Sequence, residues 1–163
     1  MNDILIRPIS PSDNAGIASV IRKSLEEFGA NRPGTVYYDD TTDHLFELFS
    51  NTPRSCYYVA EKQGQLLGGA GIFPTDSLPE GVCELVKMYL SPSARGMGLG
   101  RHMIGQCLQV AKENGYQSVY LETMPELKKA ISVYEKAGFE YIDSALGNSC
   151  HTGCDIWMKR SLL

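Results

Sequence analysis

Residues 88–116, MYLSPSARGMGLGRHMIGQCLQVAKENGY, place Gly96, Gly98 and Gly100 between Arg95 and Arg101, where a strand-like apolar run gives way to a helix-like one. A turn with few side chains lets several backbone N–H groups converge on an anion at a helix start, and the helix dipole adds partial positive charge there. The glycines remove β-carbons that would hold a phosphate away, and the two arginines supply neutralising charge. The spacing predicts a pyrophosphate as the guest of this turn.

Two nucleotide motifs compete for the same letters. A P-loop needs a Gly-Lys pair, and the chain has none. A dinucleotide fingerprint needs its third glycine at position 101 or 103, where Arg101 and Met103 stand. Glu122, ending the next strand-like run, sits where a ribose-binding acid would be expected, which keeps a dinucleotide site open as an alternative.

The elements around the turn alternate without repeats or low-complexity linkers. ILIRPI reads as a strand, and Ser10, Pro11 and Asp13 then supply a cap, a first helical residue and a capping-box acid. The helix that follows buries Ile17, Val20, Ile21 and Phe28 and stops at Gly29. The loop NRPGTVYYDD leads to a shorter helix around DHLFELF. CYYVAEKQGQLLGGAGIF reads as a hairpin turning at Gln63-Gly64, and VCELVKMYL as the next strand. Beyond the glycine turn, Leu99, Met103, Ile104, Cys107, Leu108 and Ala111 recur at helical spacing over residues 99–114. SVYLET reads as a strand, and Pro125 opens a helix carrying Leu127, Ala130, Ile131 and Tyr134 on one face until Gly138. FEYIDSALG and CDIWMKRSL supply the last two strands, the second holding Trp157 as a core residue. The order β-α-α-β-β-β-α-β-α-β-β predicts an α/β domain with a mixed sheet.

The length, 163 residues, suits a single domain over 1–163. With 43% hydrophobic and 21% charged residues the composition is that of a globular chain. A formal charge of −4 argues against nucleic-acid binding through a basic surface. No segment approaches the roughly 18 apolar residues of a membrane span, and the N-terminus lacks a leader pattern, so a cytoplasmic protein without membrane partners is expected. Cys56, Cys83, Cys107, Cys150 and Cys154 read as reduced thiols. Cys150, His151 and Cys154 lack the paired spacing and fourth ligand of a zinc site, so no metal is expected.

The turn also matches R-x-x-G-x-G, as Arg95, Gly98 and Gly100, between the strand ELVKMYLSP and an amphipathic helix. In the same order, AISVYEKAGFEYI (residues 130–142) matches A-x-x-x-Y-x-K-x-G-F. On these motifs the chain resembles the GNAT acyltransferase superfamily, in pattern over essentially its whole length. The resemblance implies a mixed, mostly antiparallel seven-stranded sheet flanked by about four helices, with acetyl-CoA as co-substrate. It places the cofactor against Met88, Tyr89 and Leu90, against the turn of Arg95, Gly96, Met97, Gly98, Leu99, Gly100 and Arg101, and against Ala130, Tyr134 and Lys136. Met88 and Leu90 would offer backbone groups to the pantetheine amides. The chain departs from the family at Leu127, where an asparagine often contacts the pantetheine arm.

The implied chemistry is acetyl transfer to a primary amine by direct attack in a ternary complex. It needs an uncharged nucleophile, a polarised thioester and a proton for the departing thiolate. Glu84 would be the general base: in alternating register it shares a face with Val82, Val86 and Met88, whose apolar surroundings should raise its pKa. Tyr134, otherwise a core residue, would donate a proton or hydrogen bond to the sulfur. The loops GANRPGTVYYDD and GNSCHTGC would line the acceptor site, making Asn31, Arg32, Tyr38 and His151 candidate contacts, with Asp39, Asp40 and Asp43 able to attract a cationic amine. The acceptor itself, a small molecule or a peptide amine, and homodimerisation are left open. The alternative from another class is an acyl-CoA-binding sensor or interaction module on the same fold.

Overall fold

A computed structural model describes residues 3–163. In chain order these form β1 (Leu5–Pro8), α1 (Asn14–Glu27), α2 (Leu45–Ser50), β2 (Cys56–Lys62), β3 (Gln65–Phe73), β4 (Val82–Leu90), α3 (Leu99–Glu113), β5 (Ser118–Thr123), α4 (Lys128–Lys136), β6 (Glu140–Ile142) and β7 (Ile156–Ser161). The element order is the one expected from the sequence. All seven strands make one sheet, β1-β2-β3-β4-β5-β7-β6, in which only β4 and β5 run parallel.

Local chemistry accounts for the element ends. Asp13 accepts the Ser10 N–H at 2.8 Å and pairs with Arg7 at 2.7 Å, so the chain enters α1 through a short 3-10 turn. The β2–β3 hairpin turns on Gln63 and Gly64, both at positive φ (51° and 79°), the geometry that matches strand twist. Pro125 falls in the turn before α4 rather than at its start: Leu127 donates its N–H to Met124 O at 3.0 Å, and the helix begins at Lys128.

The sheet has an apolar layer on each face. On one side, the periodic residues of α3, with Met103, Ile104 and Cys107 fully covered, pack with Ile72, Leu85 and Met158. On the other, Ile17, Ile21 and Leu25 of α1 pack with Leu45, Phe49, Tyr57 and Val59.

Two irregularities shape the middle of the sheet. In the β3–β4 ladder Gly71 faces Val86 and Gly69 faces Tyr89, so β4 carries one extra residue at Lys87-Met88. Lys87 sits in the left-handed region at φ 52°. The Tyr57 ring lies so close over β3 that a β-carbon on Gly69 would come within 2.5 Å of it, and its hydroxyl donates to Lys87 O at 2.7 Å. This bulge overturns the alternating register expected for β4. Val86 and Tyr89 turn to the α1 face, whereas Met88 and Leu90 join the α3 face, so Glu84 does not share a face with Met88. The second irregularity is that β4 and β5 pair only over Val82–Ser118, Cys83–Val119 and Glu84–Tyr120. Each then continues with its other neighbour, β4 as far as Leu90 and β5 as far as Thr123, leaving a wedge between them.

Candidate active site

The wedge opens onto two cavities. The larger, about 420 Å³, lies between β4, the glycine turn and α4, and its wall includes Met88, Leu90, Gly98, Gly100, Ala130 and Lys136. The smaller, about 40 Å³, includes Glu84, Lys87, Glu122, Thr123, Tyr134 and His151 in its lining. Met88, Tyr89 and Leu127 line both. Of the residues expected at the cofactor, Tyr134 belongs to the smaller cavity and the Met97 side chain is exposed and lines neither; the others line the larger.

The turn at the mouth of the larger cavity depends on left-handed backbone at Gly96 and Gly98 (φ 78° and 80°). Open space surrounds the position of an added β-carbon at both, so the requirement there is conformational. In α3 the first backbone donor to reach a carbonyl is His102, on Gly98 O at 3.2 Å, which leaves the N–H groups of Leu99, Gly100 and Arg101 without helical partners. Arg101, Lys129 and Lys136 add charge along the lining. These are the groups that could hold a diphosphate.

Arg95, Leu90 and Gly100 differ from the sequence expectation. The Arg95 guanidinium turns inward, donating to Leu90 O from Nε (3.1 Å) and Nη2 (2.9 Å) and pairing with Glu27 at 2.7 Å, above the Phe28 ring. It fastens the end of β4 to α1 instead of offering free charge to the turn. The same bonds occupy the Leu90 carbonyl, which is therefore already engaged. Met88, in the bulge, has no register partner in β3 or β5. Gly100 packs closely on β4: a β-carbon there would stand 3.1 Å from the Met88 methyl group, which would have to give way by a few tenths of an ångström.

The smaller cavity gathers charge. Glu84 is 4% exposed and accepts the Thr75 hydroxyl at 2.5 Å. Burial pushes its carboxyl up to about 7, against the pull of the Thr75 hydrogen bond. Glu122 accepts Tyr120 OH at 2.6 Å and the Ser149 hydroxyl. His151 shares a 2.7 Å hydrogen bond between Nε2 and Asp39 Oδ2, and its Nδ1 stands 4.0 Å from Glu122. Burial raises the pKa of Asp39, but its bond to His151 and the charge of Lys87 outweigh this and hold it below its ordinary value. Tyr134 is buried edge-on to Phe139, and burial raises its phenol pKa with no hydrogen bond contributing.

Among the four acceptor candidates only His151 reaches this cavity. Arg32 is engaged as a tether, donating to Glu126 at 2.7 Å and Gly153 O at 3.0 Å. Tyr38 is 59% exposed, edge-on to Tyr37, and Asn31 is exposed; neither lines a cavity. Lys87 and Thr123 were not singled out by the sequence, and Glu122 was read only as a possible ribose acid. Cys150, His151 and Cys154 do not converge. Instead, among the described residues, Glu84, Glu122 and His151 offer ligand atoms within 4.8 Å of one another and could hold a cation.

The family model described as "Acetyltransferase (GNAT) family" matches residues 18–139. The chain is 39% identical to the uncharacterized N-acetyltransferase YjgM of Escherichia coli, over 97% of this chain and 95% of that protein. Human N-acetyltransferase 8 is 29% identical over 69% of this chain and 52% of its own length. Among solved structures, an acetyltransferase from Streptococcus agalactiae superposes with a TM-score of 0.83 at 17% identity, covering 99% of each chain. The putative acetyltransferase yncA from Salmonella typhimurium, solved with its cofactor acetyl-CoA, superposes with a TM-score of 0.77 at 19% identity, covering 99% of this chain and 95% of that one. Among the described residues no helix is long and apolar enough to cross a membrane.

Proposed function

The chain belongs to the GNAT acetyltransferase family and is an N-acetyltransferase that uses acetyl-CoA; from that premise we propose that it acetylates a primary amine by direct attack within a ternary complex, with Glu84 as general base and Tyr134 beside the leaving sulfur. We take residues 1–163 as one catalytic domain. The diphosphate would lie on the Gly96–Gly98 turn and the N-terminus of α3, and the pantetheine arm along Met88. The thioester would then reach the lining shared by the two cavities.

The observation that carries this reading is Glu84, a carboxyl with a pKa near 7 in the same small cavity as Tyr134. Near neutral pH such a group can take the proton of an incoming ammonium, directly or through water. The freed nitrogen lone pair attacks the thioester carbonyl carbon, and the C–S bond breaks towards Tyr134. The proton that the nitrogen sheds in forming the amide passes to the departing thiolate, giving the N-acetyl product and CoASH. Burial keeps that phenol protonated, so it acts as hydrogen-bond donor to the developing charge. Cys154 lines the same cavity, but burial pushes its thiol up to about 12, which disfavours a covalent acetyl-enzyme.

A panel of primary amines incubated with acetyl-CoA tests the proposal, with acetylated product and free CoA both measured. Stoichiometric formation of the two is expected for at least one amine. Tight CoA binding with no acetylated amine across the panel would instead make the chain a binding module.

A further inference from the structure

The small cavity contains a cation that an amine acceptor has no use for. Lys87 is held in left-handed backbone at φ 52°, a conformation that is strained in a non-glycine residue, and its side chain is 7% exposed. Its hydrogen-bond partner among the described residues is Asp39 Oδ2 at 3.4 Å, well beyond the roughly 2.7–2.9 Å of a good charge-assisted bond. Asp39 is already committed to His151 at 2.7 Å. An ammonium carries three donors, so Lys87 brings unused donors into the cavity. Independently, Thr123 lines the same space while its Oγ1 is buried with no partner among the described residues. Buried polar groups are seldom left without a partner, be it protein, ordered water or ligand.

A simple amine would satisfy Glu84 and Glu122 and leave Lys87 and Thr123 as they are. Building on the acetyl-transfer reading above, we infer that the acceptor is a free α-amino acid, its ammonium directed to Glu84 and Glu122 and its carboxylate to Lys87 and Thr123. The cavity of about 40 Å³ has room for roughly three waters, which suits a zwitterionic head group with the side chain projecting outward. A peptide N-terminus, with an amide in place of the carboxylate, would leave Lys87 unmatched.

The test is calorimetric titration of the CoA-loaded protein with each of the twenty amino acids, and with the amide and the decarboxylated amine of each. At least one amino acid should bind tenfold or more tightly than both of its analogues. In Lys87→Met and in the near-isosteric Thr123→Val that preference should fall, to within about twofold in the former. Analogues that bind as well as every acid in the unaltered protein would overturn the inference, as would a preference that survives both substitutions. The unaltered protein decides the first point even if Lys87→Met does not fold. Turnover measured in parallel separates the two claims. Carboxylate-dependent binding without acetyl transfer upholds the subsite and defeats the proposed reaction, whereas transfer to amines without regard to a carboxylate does the reverse.

Discussion

Replacing Glu84 with glutamine should change how stability depends on pH, whatever the substrate turns out to be. The carboxyl is moved by burial from an ordinary 4.5 to about 7, which corresponds to about 3 kcal/mol. Below pH 4.5 it is protonated in the folded and unfolded states alike and contributes no pH dependence. As pH rises from 4.5 to 7 the unfolded chain releases this proton while the folded chain retains it, so stability falls; above 7 the loss is complete. Glutamine has no proton to lose. The stability of Glu84→Gln relative to the parent should therefore climb by about 3 kcal/mol between pH 4.5 and 8, whatever constant offset arises from altered contact with Thr75. Urea unfolding at unit pH intervals reads this directly. Parallel stability profiles for the two proteins would refute the buried, proton-holding Glu84.

Two further substitutions separate cofactor binding from chemistry. Gly98→Ala forces a side chain into backbone at φ 80°, so a loss of about 1 kcal/mol in stability and about tenfold in CoA affinity is expected by urea unfolding and calorimetry; unchanged CoA affinity would remove the turn from the binding site. Tyr134→Phe deletes a hydroxyl without a protein hydrogen bond, so turnover should fall by about 10²-fold while CoA affinity stays constant, and undiminished turnover would make Tyr134 a packing residue.

The fold was legible because its signals are local. The Gln63-Gly64 turn, the periodic face of α3 and the left-handed glycines before it are each contained within a few neighbouring residues, and Glu84 could be singled out from its apolar strand. What was missed depends on contacts distant in sequence. The bulge at Lys87 rests on a Tyr57 hydroxyl thirty residues away and on glycines in another strand, and nothing in VCELVKMYL marks a left-handed lysine. The Asp39–His151 pair spans 112 positions, so the acids of one loop gave no hint that a single one would meet the histidine of another. Arg95 was given a ligand role on its charge and its place in the R-x-x-G-x-G turn, and Arg32 on its place in a loop expected to line the acceptor site. The direction of a guanidinium depends on which carbonyls and carboxylates the fold brings near it, here Leu90 and Glu27 for one and Glu126 and Gly153 for the other.

The central claim, that Glu84 draws the proton from the acceptor amine, is tested most directly by the pH profile of kcat/KM for acetyl transfer, compared between the parent and Glu84→Gln. The parent should rise with pH and level off near 7, where Glu84 ionises. The variant should be slower by about 10²-fold at neutral pH and go on rising above it as free amine accumulates, recovering part of the loss. A variant that matches the parent below pH 7 would contradict the account and place the base elsewhere, with His151 the next candidate.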